Sequence, residues 1–398
     1  MATKKAPVKK KCAAKKTAPK GKIVKVAVIG CGARGAGVVK NLLRDSNRCV
    51  KVISAYDPDK AQCERAMSKE IWDQPDMKIC SSYQEAIAVP GVEWVMVFSP
   101  NAYHHEGILE GFRQGKHVFT EKPLATSIED CQKIFDAHQK SGVKFATGFV
   151  LRFSPLYRKV KELLASGAFG KLISIDANEN ITPSHGAYIM RNWRRHTSEA
   201  GPHILEKCCH DLDLLNWFVD SKASRIAAFG GRDFFLPENK GMDQEFPCFL
   251  NTWWDAHAID TAFSGDTDLM DNTVAIFEYR NGVRVQFQAT MSNAIPERRM
   301  MFCCSRGTII AECYASTVSW QLLGQNRQTI HFGGDGHGGG DSFLMKELYE
   351  GAMTQKDAMP SCSGNEGLES AVLALGIDKA ARTGKTVDME PVWKKLKR

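Results

Sequence analysis

The chain has 398 residues, 43% hydrophobic and 25% charged, which is the balance of an ordinary globular protein with room for two domains. Its formal charge of +8 comes from one end: residues 1–22 hold nine lysines and no acid, which leaves 44 basic against 45 acidic residues elsewhere. A near-neutral body argues against a nucleic-acid binder, and no apolar run approaches the length of a membrane span.

Met1 to Lys22, built from Lys, Ala, Pro and Thr, has no apolar segment to bury. It reads as a disordered, solubilising tail rather than an arm for nucleic acid, and it lacks the apolar core of a secretory signal. Thirteen cysteines, scattered without C-x-x-C pairs, suit free thiols in a reducing cytoplasm.

The run Val26–Ile29 then breaks into Gly30, Gly32 and Gly35, spaced G-x-G-x-x-G, and resumes with helical periodicity. This is strand, tight turn, helix: the first glycine allows the turn, the second lets a pyrophosphate approach the backbone, and the third lets the helix pack on the strand. Phosphates would sit at the helix N-terminus, beside Ala33 and Arg34, where free N–H groups and the dipole favour anions. A second run, Val50–Ala55, leads to Asp57, 22 residues after Gly35. At that offset a carboxylate accepts from a ribose 2′-hydroxyl, which favours NAD over NADP. Arg34 is open to two readings, a solvated helix start or a holder of a 2′-phosphate.

Further apolar runs, Trp94–Phe98, Val118–Thr120 and Val143–Thr147, alternate with amphipathic segments Asp59–Ile71, Tyr103–Arg113 and Ile128–Lys140. The alternation predicts a parallel sheet over residues 23–148 with helices on both faces and ligands beyond the carboxyl ends of the strands. Two more segments fall at such ends. One carries Ser99, Pro100, Asn101 and His104, and the other Glu121 and Lys122. Pro123 restricts Lys122 to an extended conformation, and a lysine delivered into a cofactor cleft can polarise a hydroxyl.

These segments, with Gly115-Lys-His-Val-Phe-Thr-Glu-Lys-Pro-Leu124, resemble the Gfo/Idh/MocA superfamily of NAD(P)-dependent sugar and polyol oxidoreductases. The similarity continues through Thr147–Tyr157 and Gly167–Leu172 to a segment around His210, and more loosely to the C-terminus. The resemblance implies that Lys122 is catalytic and that the segments at the strand ends hold the nicotinamide cofactor.

After Gly148 a helix Pro155–Ala165 and a strand Leu172–Ala177 are expected, then an irregular stretch from Ile181 to Pro202. A loop of that length is usually functional, and Trp193, Arg194 and nearby arginines suit a polyhydroxylated or acidic ligand, the indole stacking on a sugar ring. His203 to Phe218 has the periodicity of one helix, with an apolar stripe through Leu205, Leu212 and Leu215. His203, Glu206, His210 and Asp213 form a polar ridge. Adjacent Cys208, Cys209 and His210 diverge by about 100° per residue and do not make a metal site. The resemblance places an acid four residues before a histidine here, so it implies proton transfer by His210 with Glu206 in the acid position, where Asp is more familiar. Arg152, Trp193, Arg194 and Asn101 are the substrate-positioning candidates. Lys207 has no assignment.

From Arg225 the period becomes two. Thr273–Tyr279 and Val283–Met291 flank the hairpin turn Asn281-Gly282, and Met300–Cys304 and Thr308–Cys313 flank another. Phe234 to Asp271, with Trp253, Trp254, Asp255 and His257, either caps the pocket or serves assembly. Gly333–Gly340 lacks the features of a phosphate loop, and His337 in it is a pocket candidate. Helices Ser342–Met353 and Gly367–Arg382 complete the chain.

The expectation is an α/β protein with an N-terminal Rossmann domain and a C-terminal α+β domain, residues 149–390, carrying a mostly antiparallel open sheet. It is expected to be cytoplasmic, without metal, forming a homo-dimer or tetramer, and to transfer hydride between NAD and a secondary alcohol of a sugar, glycoside or polyol. Two alternatives are a redox-neutral, NAD-dependent glycosidase and a non-catalytic NAD-binding regulator.

Overall fold

The computed structural model describes residues 21–250, 258–333 and 337–398. Six parallel strands, β1 (Val24–Ile29), β2 (Val50–Tyr56), β3 (Lys78–Ile79), β4 (Trp94–Val97), β5 (His117–Thr120) and β6 (Phe145–Thr147), form a sheet in the order β3-β2-β1-β4-β5-β6. Helices α1 (Ala33–Asp45), α2 (Lys60–Met67), α3 (Tyr83–Ala88), α4 (His104–Arg113) and α5 (Ile128–Ser141) connect them. The strand order reverses beside β1, where α/β sheets open a crevice for ligands. Strand β3 is too short to show a period in the sequence. Helix α2 stops at Met67, short of Ile71, because the chain turns to bury Trp72, whose indole donates to the Ala36 carbonyl at 3.0 Å.

The chain continues through α6 (Pro155–Ala165), β7 (Leu172–Asn180), α7 (Pro183–Arg191), α8 (Thr197–Ala200), α9 (His203–Glu206), α10 (Cys209–Val219), β8 (Ala223–Gly231) and α11 (Met242–Glu245). Then follow β9 (Asn272–Tyr279), β10 (Arg284–Thr290), β11 (Arg299–Cys304), β12 (Gly307–Glu312), β13 (Thr317–Leu322) and β14 (Gln328–His331). The chain ends in α12 (Gly340–Leu348), α13 (Gly364–Thr383), β15 (Val387–Asp388) and α14 (Glu390–Lys395). The second sheet has nine strands in the order β14-β13-β12-β11-β7-β10-β9-β8-β15, antiparallel except where β7 lies parallel to β10. Alternation works as expected: Val285, Phe287 and Ala289 of β10 are buried while Arg284 and Gln286 are exposed. Helix α13 begins with a capping box between Ser363 and Glu366 and packs on α10 and β8. Helix α12 returns to the first sheet, burying Leu344, Met345 and Leu348 with Val38, Val39 and Leu42 of α1.

Two expectations are corrected. The stretch Ile181 to Pro202 is not irregular: it folds as α7, a short helical turn at Trp193–Arg195, and α8. Thr182 caps α7 and Pro183 occupies its first turn, a start signal that the aromatic and arginine content obscures. The segment His203 to Phe218 is not one helix. It breaks at Lys207 and Cys208, and the Glu206 carbonyl accepts instead from Lys122 Nζ, at 2.6 Å.

Trp253, Trp254, Asp255 and His257 lie outside the described residues, as do residues 1–20 of the basic tail. Of the region from Phe234 to Asp271, the described part packs Phe234, Phe235, Phe249 and Phe263 together against α7. Among the described residues no helix is long and apolar enough to cross a membrane.

Candidate active site

The glycine turn is shaped by contact as much as by torsion. Gly30 has φ +89°, and a Cβ there would stand 2.6 Å from the Phe98 backbone; one on Gly35 would stand 2.4 Å from the Gly30 carbonyl. A Cβ on Gly32 would meet nothing within 4 Å, so open space adjoins the N-terminus of α1, where the first-turn N–H groups are free of intrahelical partners. Asp57 accepts from the backbone N–H of Cys31 at 2.7 Å and of Asp59 at 2.9 Å, which fixes its carboxylate at the rim of this space. Burial raises its pKa. An open cradle at a helix N-terminus, with a carboxylate held at the next strand end, fits a dinucleotide.

Arg34 is not a solvated helix start. Its guanidinium donates to Glu121 at 2.7–2.8 Å and pairs with Asp341, the second residue of α12, at 2.7 Å. Asp341 in turn holds His337 Nδ1 at 2.7 Å and is drawn down to about 2, its hydrogen bonds and the Arg34 charge outweighing burial. The His104 ring nitrogens lie 2.7 and 2.8 Å from the carbonyl oxygens of Pro123 and Ser99, so this buried ring pins two strand-end loops together. Pro100 opens the turn that follows, and Asn101 spans the crevice, donating to the Ala200 carbonyl at 2.8 Å.

Beyond these loops lies a cavity of about 290 Å³ lined by both parts of the chain. Lys122 enters from β5 through a cis peptide to Pro123, with Nζ on the Glu206 carbonyl and 3.7 Å from the Glu206 carboxylate. Glu206, buried, also receives Arg194 Nε at 3.0 Å; these charges outweigh burial and hold its pKa far below the usual carboxylate range. His210 is buried against the edge of Phe149, with the His337 ring 5.5 Å away. Burial, then the Lys122 charge, pushes its pKa well down, so the imidazole is neutral at physiological pH. Its Nδ1 is buried without a hydrogen-bond partner among the described residues. A neutral base with an unsatisfied nitrogen beside a lysine suits proton transfer from a substrate hydroxyl.

Residues 24–149 match the family model for the oxidoreductase family with an NAD-binding Rossmann fold, and residues 157–310 match the GFO/IDH/MocA C-terminal domain. The chain belongs to the GFO/IDH/MocA oxidoreductase family. It is 25% identical over 324 residues to the 1,5-anhydro-D-fructose reductase of Ensifer adhaerens, covering 79% of this chain and 84% of the reductase. It is also 25% identical over 230 residues to the 2,7-anhydro-N-acetylneuraminate hydratase of Mediterraneibacter gnavus, covering 58% of each. Levoglucosan dehydrogenase, solved in complex with NADH and levoglucosan, superposes with a TM-score of 0.77 at 16% identity, over 93% of this chain and all of that one, which shows a shared fold.

In this family member the structure brings together Arg34, Ser99, Asn101, Glu121, Lys122, Trp193, Arg194, Glu206 and His210 around one cavity. It does not bring Arg152, which is buried in a bidentate pair with Asp213, at 2.6 and 2.8 Å, away from the cavity lining. The expected polar ridge therefore divides: Glu206 and His210, on either side of the helix break, both line the cavity, while Asp213, further along α10, serves Arg152. Trp193 does line the cavity, but the Arg194 guanidinium lies over its ring at 4.2 Å, so that face is covered rather than offered to a sugar. His185, Tyr188 and Lys207 also line the cavity and were not assigned from the sequence. Lys207 was the one with a signal, a charge set between Glu206 and two buried cysteines. Among the described residues no three His, Cys, Asp or Glu side chains are placed to hold a metal ion.

Proposed function

We propose that the protein oxidises a secondary alcohol of a sugar, glycoside or polyol, with NAD rather than NADP as its partner. The observation that carries this reading is the meeting of Lys122 and a neutral, buried His210 at one cavity bordered by the dinucleotide cradle. Bound NAD supplies the hydride acceptor. Lys122 contacts the substrate hydroxyl and stabilises the charge that develops on its oxygen; a His210 ring nitrogen takes the proton. Glu206 positions Lys122 and Arg194, and Asn101 ties the two sides of the crevice. NAD is favoured because Asp57 stands where the ribose 2′-hydroxyl would bind while Arg34 is committed to Glu121 and Asp341.

The same reading takes the chain as a cytoplasmic homo-dimer or tetramer. Every described cysteine is a free thiol, and Phe229, Val274 and Ile276 stand exposed on neighbouring strands β8 and β9.

The test is growth of the reduced-nicotinamide absorbance with NAD⁺ and a panel of sugars, glycosides and inositols. Growth with one class, lost in Lys122→Ala, supports the dehydrogenase. The similarity to a hydratase keeps a redox-neutral reading open, in which oxidation is transient and no NADH accumulates. A flat trace with release of an aglycone or hydrated product would replace the first reading with the second. A flat trace with NAD bound and no product would favour a regulator.

A further inference from the structure

The cavity is electrically lopsided. On the side formed by β7 and the α7–α10 segment, Arg194 and Lys122 share Glu206, while Lys207 shares Glu179 with Arg298, which also pairs with Asp211. These linked groups comprise four cations, Lys122, Arg194, Lys207 and Arg298, against three carboxylates, Glu179, Glu206 and Asp211. Burial pushes Asp211 up to about 6, so it is ionised at neutral pH. The histidines on this side, His185, His203 and His210, are all pushed down by burial, with Lys207 among the charges opposing protonation of each, and they add no positive charge. One positive charge remains in excess on this side of the cavity.

The opposite end has the reverse balance, Arg34 between Glu121 and Asp341. An uncompensated buried charge is costly, and the cheapest remedy is a ligand that supplies its counterion. Two of the cations reach the cavity wall with capacity to spare. Lys207 is 12% exposed and, among the described residues, its one ion pair is to Glu179, at 3.2 Å. Arg194 uses Nε on Glu206 and Nη1 on Tyr188, at 3.0 and 2.7 Å, and its Nη2 has no hydrogen-bond partner among the described residues. Stacking on Trp193 and Tyr188 holds that guanidinium in one plane, which suits a planar carboxylate.

We infer that the substrate is a sugar acid, its carboxylate bound by Lys207 and Arg194 at the end of the cavity away from the dinucleotide cradle. A single excess charge matches a monoanion; a phosphate ester, near two negative charges, would overshoot it. The inference rests on the reading of this cavity as the substrate site and adds the class of substrate. Lys207 becomes the residue that sets specificity between an acid and its neutral parent.

The experiment compares uronates and aldonates with their parent neutral sugars and the matching sugar phosphates, by kcat/KM with NAD⁺ in wild type, Lys207→Met and Lys207→Arg. Because Lys207→Met leaves Glu179 one partner short, the double variant Lys207→Met/Glu179→Gln accompanies it. The expected result is a preference for the acid over its neutral parent of at least about tenfold in wild type, the factor carried by one hydrogen bond between charged groups. That ratio falls by roughly ten- to a hundredfold in both Met variants, chiefly through KM, and is largely kept by Lys207→Arg. A preference for the neutral sugar or the phosphate, or an acid-to-neutral ratio unmoved in folded Met variants, overturns the inference and leaves the dehydrogenase reading intact. If no sugar reduces NAD⁺, that reading fails, and calorimetric titration of the NADH-saturated protein with the same acids decides the inference alone. Binding lost in the Met variants upholds it; no binding to wild type overturns it.

Discussion

The wall of the cavity supplied by the first sheet is held by backbone. Gly30, Asn101 and Lys122 each follow the end of a parallel strand, and the turn, the short helical segment and the Lys-Pro step set their directions. The facing wall, from α7 to α10, is a string of short helical pieces with little ladder of their own, held by charge: Arg194 on Glu206, Lys207 and Arg298 on Glu179, Arg298 on Asp211. The difference teaches that the two walls fail in different ways. A wall set by strand ends is damaged by anything that occupies backbone space, and one set by buried ion pairs by anything that leaves a charge alone.

The largest effect belongs to the group delivered across from one wall to the other. Lys122→Ala is expected to lower kcat/KM by about 10²–10³-fold, the usual worth of a group that stabilises charge developing on a reacting oxygen, while NAD still binds by equilibrium fluorescence. Next come two variants that separate the walls. Arg298→Met strands Asp211 in the interior, leaves Glu179 with Lys207 as its remaining cation, and should cost about 3–5 kcal/mol in urea denaturation, with NAD affinity unchanged. Gly30→Ala should do the opposite, abolishing NAD binding for a loss of stability of about 1–3 kcal/mol, because its Cβ drives into the Phe98 backbone from a positive φ. Equal loss of NAD binding in both would break the distinction. The smallest effect is in pH. His210 has its pKa pushed below the ordinary value, so the acid limb of kcat/KM moves to lower pH and the plateau continues below pH 6.5. An acid limb centred at 6.5 would mean that His210 is not held neutral by burial and Lys122.

The same division decided what the sequence could tell. The first wall was legible because its determinants are local: the glycine spacing, the strand and helix alternation and the proline after Lys122 are all readable within a few residues. The second was not, because its determinants are partners far along the chain. The helix expected from His203 to Phe218 has unbroken periodicity, and nothing within it announces that Lys122, 84 residues earlier, captures the Glu206 carbonyl at its break. Arg152 looked like a substrate ligand because its partner, Asp213, lies 61 residues away. Lys207 stood out as a charge on an apolar segment, yet its meaning depends on Glu179 on β7. His337, a candidate on a glycine-rich stretch, reaches the cavity because Asp341 and Arg34 tether it there.

Strand β7 has a consequence for the order in which the molecule forms. It leaves the first half of the chain directly after α6, yet it lies between β10 and β11 in the second sheet. The hydroxyl of Thr290 donates to Asn180, 110 positions earlier in the chain. On a ribosome, the parallel sheet can close as soon as β6 emerges, while β7 waits, unpaired on both edges, until β10 and β11 have been synthesised. Closing so long a loop is slow, and an open-edged strand is exposed meanwhile. The second sheet, and with it the charged wall of the cavity, therefore has all its strands only after those of the nucleotide cradle it faces.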